Sequence, residues 1–180
     1  MYINWRYKEL TITIALYGPP SSGKTTTWRV LARGAITLPE EGSDTFSLRL
    51  DDIRDKHVVL QVRDIPGKLE DEARRRTALY GVDGLIFVAD SDAAQEEANR
   101  RSIEELQANL ERMNKSIYTM PFLLQYNKRD LPTALEVEQL QDHLNPDRVF
   151  PYQETSANVE EGVLEVLRQA TDLILATALQ

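Results

Sequence analysis

The 180-residue chain contains no cysteine. That absence excludes disulfides, zinc–thiolate centres, prenylation and palmitoylation together. Residue 2 is Tyr, so the glycine needed for N-myristoylation is missing too. No apolar run approaches membrane-spanning length, and the amino end has no signal-peptide pattern. Histidine occurs only twice, and neither His57 nor His143 has a metal-ligand companion, so both read as structural or exposed. Positive charge is in deficit: 21 Lys and Arg against 29 Asp and Glu give a net charge of −8. Such a surface argues against nucleic acid or an anionic membrane as the main partner. Repeats, low-complexity tracts and linkers are lacking as well. The expectation is a single domain, residues 1–180, cytoplasmic, with no lipid anchor and no membrane span.

What is present begins at Gly18. Gly18-Pro-Pro-Ser-Ser-Gly-Lys-Thr25 is a full match to G-x-x-x-x-G-K-[S/T], the loop that wraps nucleotide phosphates. It follows the β-branched run Leu10 to Tyr17 and precedes a helical segment, Lys24 to Arg33, which is the context the motif needs. Gly18, Ser21, Ser22, Gly23 and Thr26 are expected to build the cradle. Its backbone N–H groups and helix start hold anionic oxygens. Lys24 reaches the β- and γ-phosphates, and the Thr25 hydroxyl ligates Mg²⁺. Pro20 removes one backbone donor, but some loop positions do not face phosphate, so binding survives.

Further elements follow from periodicity. Tyr2 to Lys8 alternates, with Ile3, Trp5 and Tyr7 on one face, and predicts a short extra strand; Trp5 and Tyr7 read as a packing pair. Gly34 to Ser43 reads as a loop. Thr45 to Leu50 and His57 to Val62 predict an antiparallel hairpin. Glu70 to Tyr80 is charged and reads as a helix. Gly84 to Ala89 and Pro121 to Tyr126 are continuous apolar runs, expected as strands buried on both faces. Asp92 and Gln95 suggest a capping box opening a long helix with Ile103, Leu106 and Leu110 inward. Val137 to Leu144 is a short helix. Arg148 to Gln153 is a last strand, and Val163 to Ile174 lay out a final helix. This predicts an α/β P-loop fold: a mostly parallel six-stranded sheet, one antiparallel edge strand, the extra N-terminal strand and helices on both faces. Ligands of such sheets sit beyond the carboxyl ends of the strands, where Gly18, Asp64 and Asn127 all fall.

Asp64 lies about forty residues past Lys24 and directly before Ile-Pro-Gly67. Its carboxylate is expected to hold a Mg²⁺-bound water, and the Gly67 N–H to donate to the γ-phosphate. Asn127-Lys-Arg-Asp130 selects the base. A carboxylate at Asp130 accepts two hydrogen bonds from guanine that adenine does not offer. Asn127 braces the loop, and the Lys128 stem covers the base face. In Thr155-Ser-Ala157, the Ala157 N–H is expected to meet the guanine oxygen and Ser156 to shape the loop.

These elements resemble the Ras-like small GTPases over essentially the whole chain. The resemblance is closer to the bacterial MglA-type gliding-motility GTPases, through Ile3-Asn4 before Tyr17-Gly-Pro, Phe87-Val-Ala-Asp-Ser91 and Gln125-Tyr-Asn-Lys-Arg-Asp-Leu-Pro132. It implies a GTP/GDP switch with Mg²⁺ that controls polarity or motility, and a homodimeric roadblock-fold partner acting on the GTP-bound state.

The sequence also departs from that pattern. The position after Asp-x-x-Gly, usually the water-orienting Gln, is Lys68; an ammonium donates but cannot accept. Slow intrinsic hydrolysis is the expectation. Thr45 is assigned as the Mg²⁺-sensing switch threonine, with Thr37 as rival. The arginine that the family places before it is here Asp44. Arg74, Arg75 and Arg76 could supply the missing charge, although such a run more often forms a solvated or partner-binding face. A GTP-binding interaction module with little turnover is therefore the alternative, favoured by Lys68 and Asp44. A nucleotide kinase or ATPase leaves Asn127 to Asp130 without a purpose.

Overall fold

The computed structural model describes residues 1–4, 8–36, 43–53, 56–67 and 72–178. The elements run β1 (Tyr2–Asn4), β2 (Glu9–Tyr17), α1 (Lys24–Ala32), β3 (Thr45–Ile53) and β4 (Lys56–Asp64). There follow α2 (Glu72–Ala78), β5 (Gly84–Asp90), α3 (Glu96–Glu111) and β6 (Phe122–Asn127). α4 (Val137–Leu144), β7 (Tyr152–Glu154) and α5 (Val163–Ala178) complete the order.

Among the described residues the strands form one seven-stranded sheet, β3-β4-β2-β5-β6-β7, with β1 added beside β2. β2 runs parallel to β4 and β5, β5 to β6, and β6 to β7. β3 is antiparallel to β4, as the hairpin pattern predicts, and β1 is antiparallel to β2. The architecture is the expected α/β one. Of the alternation expected over Tyr2 to Lys8, residues 5–7 lie outside the described residues.

Strand alternation divides the core into two layers. Ile12, Ile14 and Leu16 of β2 join Ile86 and Val88 of β5 on one face, under Leu31 of α1 and Val163, Val166 and Ile174 of α5. Ala15 and Tyr17 join Leu85, Phe87 and Ala89 on the other, under Ile103, Leu106 and Leu110 of α3 and Leu140 of α4. Every residue of β5 and β6 is buried, which is why both read as unbroken apolar runs.

Two local expectations change. Asp92 does not open α3: its side chain caps a short 3₁₀ turn, Ala93–Gln95, and α3 starts at Glu96. A capping box needs the Asp92 N–H for the returning side chain, but that N–H donates to Asp90 Oδ1 at 3.1 Å. A capping box does occur at the start of α4, between Glu136 and Gln139. The last strand is Tyr152–Glu154 rather than Arg148 to Gln153. Arg148 has a left-handed backbone (φ 53°), and the Asn145 side chain bonds both Phe150 N and Phe150 O, which makes this stretch a turn. The charged helix after Gly67 is described only from Glu72 to Ala78, so the start expected at Glu70 lies outside the described residues.

Among the described residues no helix is long and apolar enough to cross a membrane. The parallel strands β2, β4, β5 and β6 deliver Tyr17, Asp64, Asp90 and Asn127 to the same edge of the sheet. The site is built there.

Candidate functional site

Between β2 and α1 the chain wraps a cleft of about 280 Å³, with Pro20, Ser21, Gly23, Lys24, Thr25 and Thr26 on one side and Asp64 to Gly67 on the other. α1 begins at Lys24, and its N-cap, Gly23, offers no side-chain hydrogen bond to the first turn. Those N–H groups carry the positive end of the helix dipole and suit an anion. Lys24 is buried, with Nζ donating to Gly18 O (2.9 Å) and Pro19 O (2.6 Å). Burial pushes its ammonium down to about 8, against the pull of Asp64, and nearby Arg75 adds to the fall. The group is poised to gain from a bound anion.

Asp64, the last residue of β4, accepts the Thr25 hydroxyl at Oδ2 (2.7 Å). Its Oδ1 is buried with no hydrogen-bond partner. Burial raises the carboxyl above its usual range, with Thr25 and Lys24 opposing and Asp44 adding to the rise. The Thr25 hydroxyl and the Asp64 carboxylate, one oxygen of which is orphaned, form a hard-oxygen donor set suited to Mg²⁺. Among the described residues no group of three His, Asp or Glu side chains could enclose a metal. A cation here would draw its remaining ligands from oxygens outside such a cluster, water and a bound anion among them.

Asn127 ties three loops together. Its Nδ2 donates to Ser22 O of the phosphate loop (2.8 Å), while Oδ1 accepts from Thr155 Oγ1 and from Ala157 N, both at 3.0 Å. Gly23 is required beside it: φ is +99°, and a methyl group there would land on Asn127 Nδ2. Gln125, two residues earlier on the same face of β6, donates to Thr27 Oγ1 (2.9 Å) and Thr155 Oγ1 (3.0 Å). The Ala157 N–H, expected to point at a base oxygen, is donated to Asn127 here. Ser156 is buried beside it, and Asp130 is exposed. Lys128, in left-handed backbone (φ 66°), places Nζ 2.5 Å from the buried Asp90 carboxylate.

The switch-side residues are less convergent. Thr45 opens β3 but does not line the cleft, and its hydroxyl donates to Asp44 Oδ1 (3.0 Å). Asp44 O accepts the Asp64 N–H at 2.7 Å, which keeps this corner next to the donor pair. Gly67 packs so tightly that a methyl group would sit 2.7 Å from Lys24 Nζ and 3.0 Å from Pro20. Lys68, Thr37, Trp5 and Tyr7 lie outside the described residues. His57 and His143 are exposed and sit beside Asp52 (2.8 Å) and Glu96 (3.4 Å).

The expected solvated face of Arg74 to Arg76 needs correction at its centre. Arg74 is exposed, 3.6 Å from Asp44, but Arg75 is only 2 % exposed and is ion-paired with Glu105 of α3. The backbone of α2 turns Arg75 inward, where Glu105 compensates its charge. Sequence reasoning also missed the roles of Asp90 and Gln125. The available signal was a polar residue at the end of, or inside, a strand buried on both faces.

Residues 3–174 match the ADP-ribosylation factor family. The chain is also 34% identical, over 187 aligned positions, to the Mutual gliding-motility protein MglA of Myxococcus xanthus (strain DK1622), covering 97% of this chain and 95% of that protein.

Proposed function

The chain belongs to the ADP-ribosylation factor family of Ras-like small GTPases, and from that premise we propose how this GTP-binding GTPase works: as a slow switch whose loops respond to the γ-phosphate. The observation that carries the reading is the Asn127 side chain, which joins the phosphate loop at Ser22 to the Thr155–Ala157 loop in one buried unit. A ligand that fills both halves must carry phosphates at one end and a base at the other. Asp130, exposed three residues after Asn127, accepts paired N–H donors in this reading, which favours guanine over adenine.

In the nucleotide complex Lys24 exchanges a carbonyl of its own loop for phosphate oxygens, and α1's first turn adds N–H donors. Gly18, Ser21, Ser22, Gly23 and Thr26 shape the cradle. Lys128, held by Asp90, lies along the base, with Ser156 and Ala157 closing that side. Thr25 and Asp64 would hold Mg²⁺, which would supply neutralisation of phosphate charge. Gly67 donates its N–H to the γ-phosphate, and Thr45 gives up its bond to Asp44 to join it when the triphosphate is bound. Loss of the γ-phosphate releases both segments.

Hydrolysis is slow in this reading, below the roughly 10⁻⁴ s⁻¹ of a Gln-bearing switch without a partner. Lys68 donates but cannot accept a proton from water, and Asp44 stands where the family resemblance places a cation. A roadblock-fold partner is the proposed accelerator, and the proposed setting is a polarity or motility process in the cytoplasm, motility being what the relative's name carries. The Thr45–Asp44 hydrogen bond favours one second reading, a GTP-dependent interaction module that scarcely turns over. Single-turnover phosphate release decides between them. Release faster than in Lys24→Ala, alone or with a candidate partner, supports the switch; equal release throughout leaves only the module.

A further inference from the structure

We infer that Arg75 is a positioning residue for Gly67, and that the buried Arg75–Glu105 pair carries the state of the γ-phosphate from the cleft to α3. The inference rests on the GTP reading above.

Arg75 is among the largest fully buried side chains of the molecule. A guanidinium placed there is tolerable only with a charge partner and hydrogen bonds. Glu105 provides the charge at Nη2. Nη1 points at the Gly67 carbonyl, 3.5 Å away, the outer limit of a hydrogen bond. Nε is buried with no hydrogen-bond partner among the described residues. The side chain is thus anchored firmly on α3 and loosely on the loop, with donor capacity to spare.

Gly67 cannot shift freely on its other side. Lys24 Nζ and the Pro20 backbone leave no room even for a methyl group. Whatever moves Lys24 or draws Gly67 toward a phosphate therefore alters the Gly67 carbonyl seen by Arg75. Contacts of this kind are often long before the ligand arrives and tighten in the complex. Electrostatics runs along the same line. Arg75 helps lower the Lys24 ammonium, and Arg75 and Glu105 act with opposite sign on the buried Tyr17 hydroxyl, which burial pushes up to about 12. A γ-phosphate that draws in Gly67 completes the Arg75 bond. Its departure leaves Glu105 as the guanidinium's one strong partner among the described residues, and α2 is then free to shift against α3.

The test compares GTP-analogue and GDP affinities in wild type, Arg75→Gln, Arg75→Lys and Glu105→Gln. Wild type must bind both nucleotides; if it binds neither, the nucleotide reading itself falls. Arg75→Gln is expected to lower triphosphate affinity about tenfold while GDP affinity stays within twofold. Glu105→Gln shifts the ratio in the same direction, and Arg75→Lys restores part of it. An unchanged ratio, or equal weakening of both nucleotides alongside a lower Tm, overturns the inference and leaves Arg75 a purely structural residue. Should the variants not fold, wild type still decides. Arg75 guanidinium and Gly67 amide resonances that differ between the GDP and GTP-analogue complexes support the inference; identical resonances overturn it.

Discussion

Replacing Asn127 with Ala removes a side chain that makes three hydrogen bonds and is 2 % exposed. The loss is larger than three ordinary bonds, because the partners stay buried. Ser22 O and the Ala157 N–H lose their Asn127 bond, and the Thr155 hydroxyl keeps only the bond from Gln125; stranding a buried group costs about 1–3 kcal/mol. Water entering the space left by the amide satisfies part of this, so about 3–5 kcal/mol is expected. That is a large share of the ~5–15 kcal/mol by which a domain is stable, yet the chain should still fold. The assay is urea unfolding of the nucleotide-free protein, read as a lower midpoint at unchanged m-value. At about 2–4 °C per kcal/mol for a chain of this size, Tm falls by roughly 10 °C. Asn127→Asp should be no milder, because an acceptor would then face Ser22 O. A nucleotide-free stability loss below about 1 kcal/mol would refute the reasoning: the brace would then exist only when ligand is bound.

Other expectations follow from the same geometry. Lys24 has a lowered pKa, about 8, in the free protein, and phosphate oxygens raise it on binding. Binding therefore takes up a proton, and affinity falls as pH rises above about 8, approaching tenfold per unit; calorimetry at pH 8.5 in buffers of different ionisation enthalpy measures the uptake. Gly67→Ala forces its methyl group against Lys24 Nζ and Pro20, so single-turnover GTP hydrolysis should drop at least tenfold while GDP binding changes little. Asp64→Asn removes the charge from the donor pair with Thr25; mant-GDP release should then be fast with or without magnesium, whereas wild-type release accelerates only when EDTA is added.

The phosphate loop, Asp64 and Asn127 were legible because each closes a β-rich run, and parallel strands bring their carboxyl ends to one edge. Periodicity likewise placed α4 and the inward faces of α3 and α5. Arg75 was not legible. Three consecutive arginines look like a solvated face until Glu105, thirty residues later, is known to lie opposite the middle one. Asp90 hid for a related reason: an acid ending an apolar strand reads as a turn residue, and only the left-handed backbone of Lys128 brings an ammonium to it. Local hydrogen bonds defeated two boundary readings. Asp90 captured the Asp92 N–H that a capping box needs, and Asn145 folded Arg148 to Phe150 into a turn. Composition does not record which of two acceptors wins an N–H.

Base selectivity at Asp130 tests the central claim most directly. Two charge-assisted hydrogen bonds to the guanine edge, about 1.5–3 kcal/mol each, predict at least a hundredfold preference for GDP over ADP and over xanthosine diphosphate. Asp130→Asn exchanges one acceptor for a donor, which matches the extra oxygen of xanthine, so the same titration on the variant should favour xanthosine diphosphate over GDP. Equal affinity of the wild-type chain for ADP and GDP, or a variant that keeps its preference for GDP, would contradict the account.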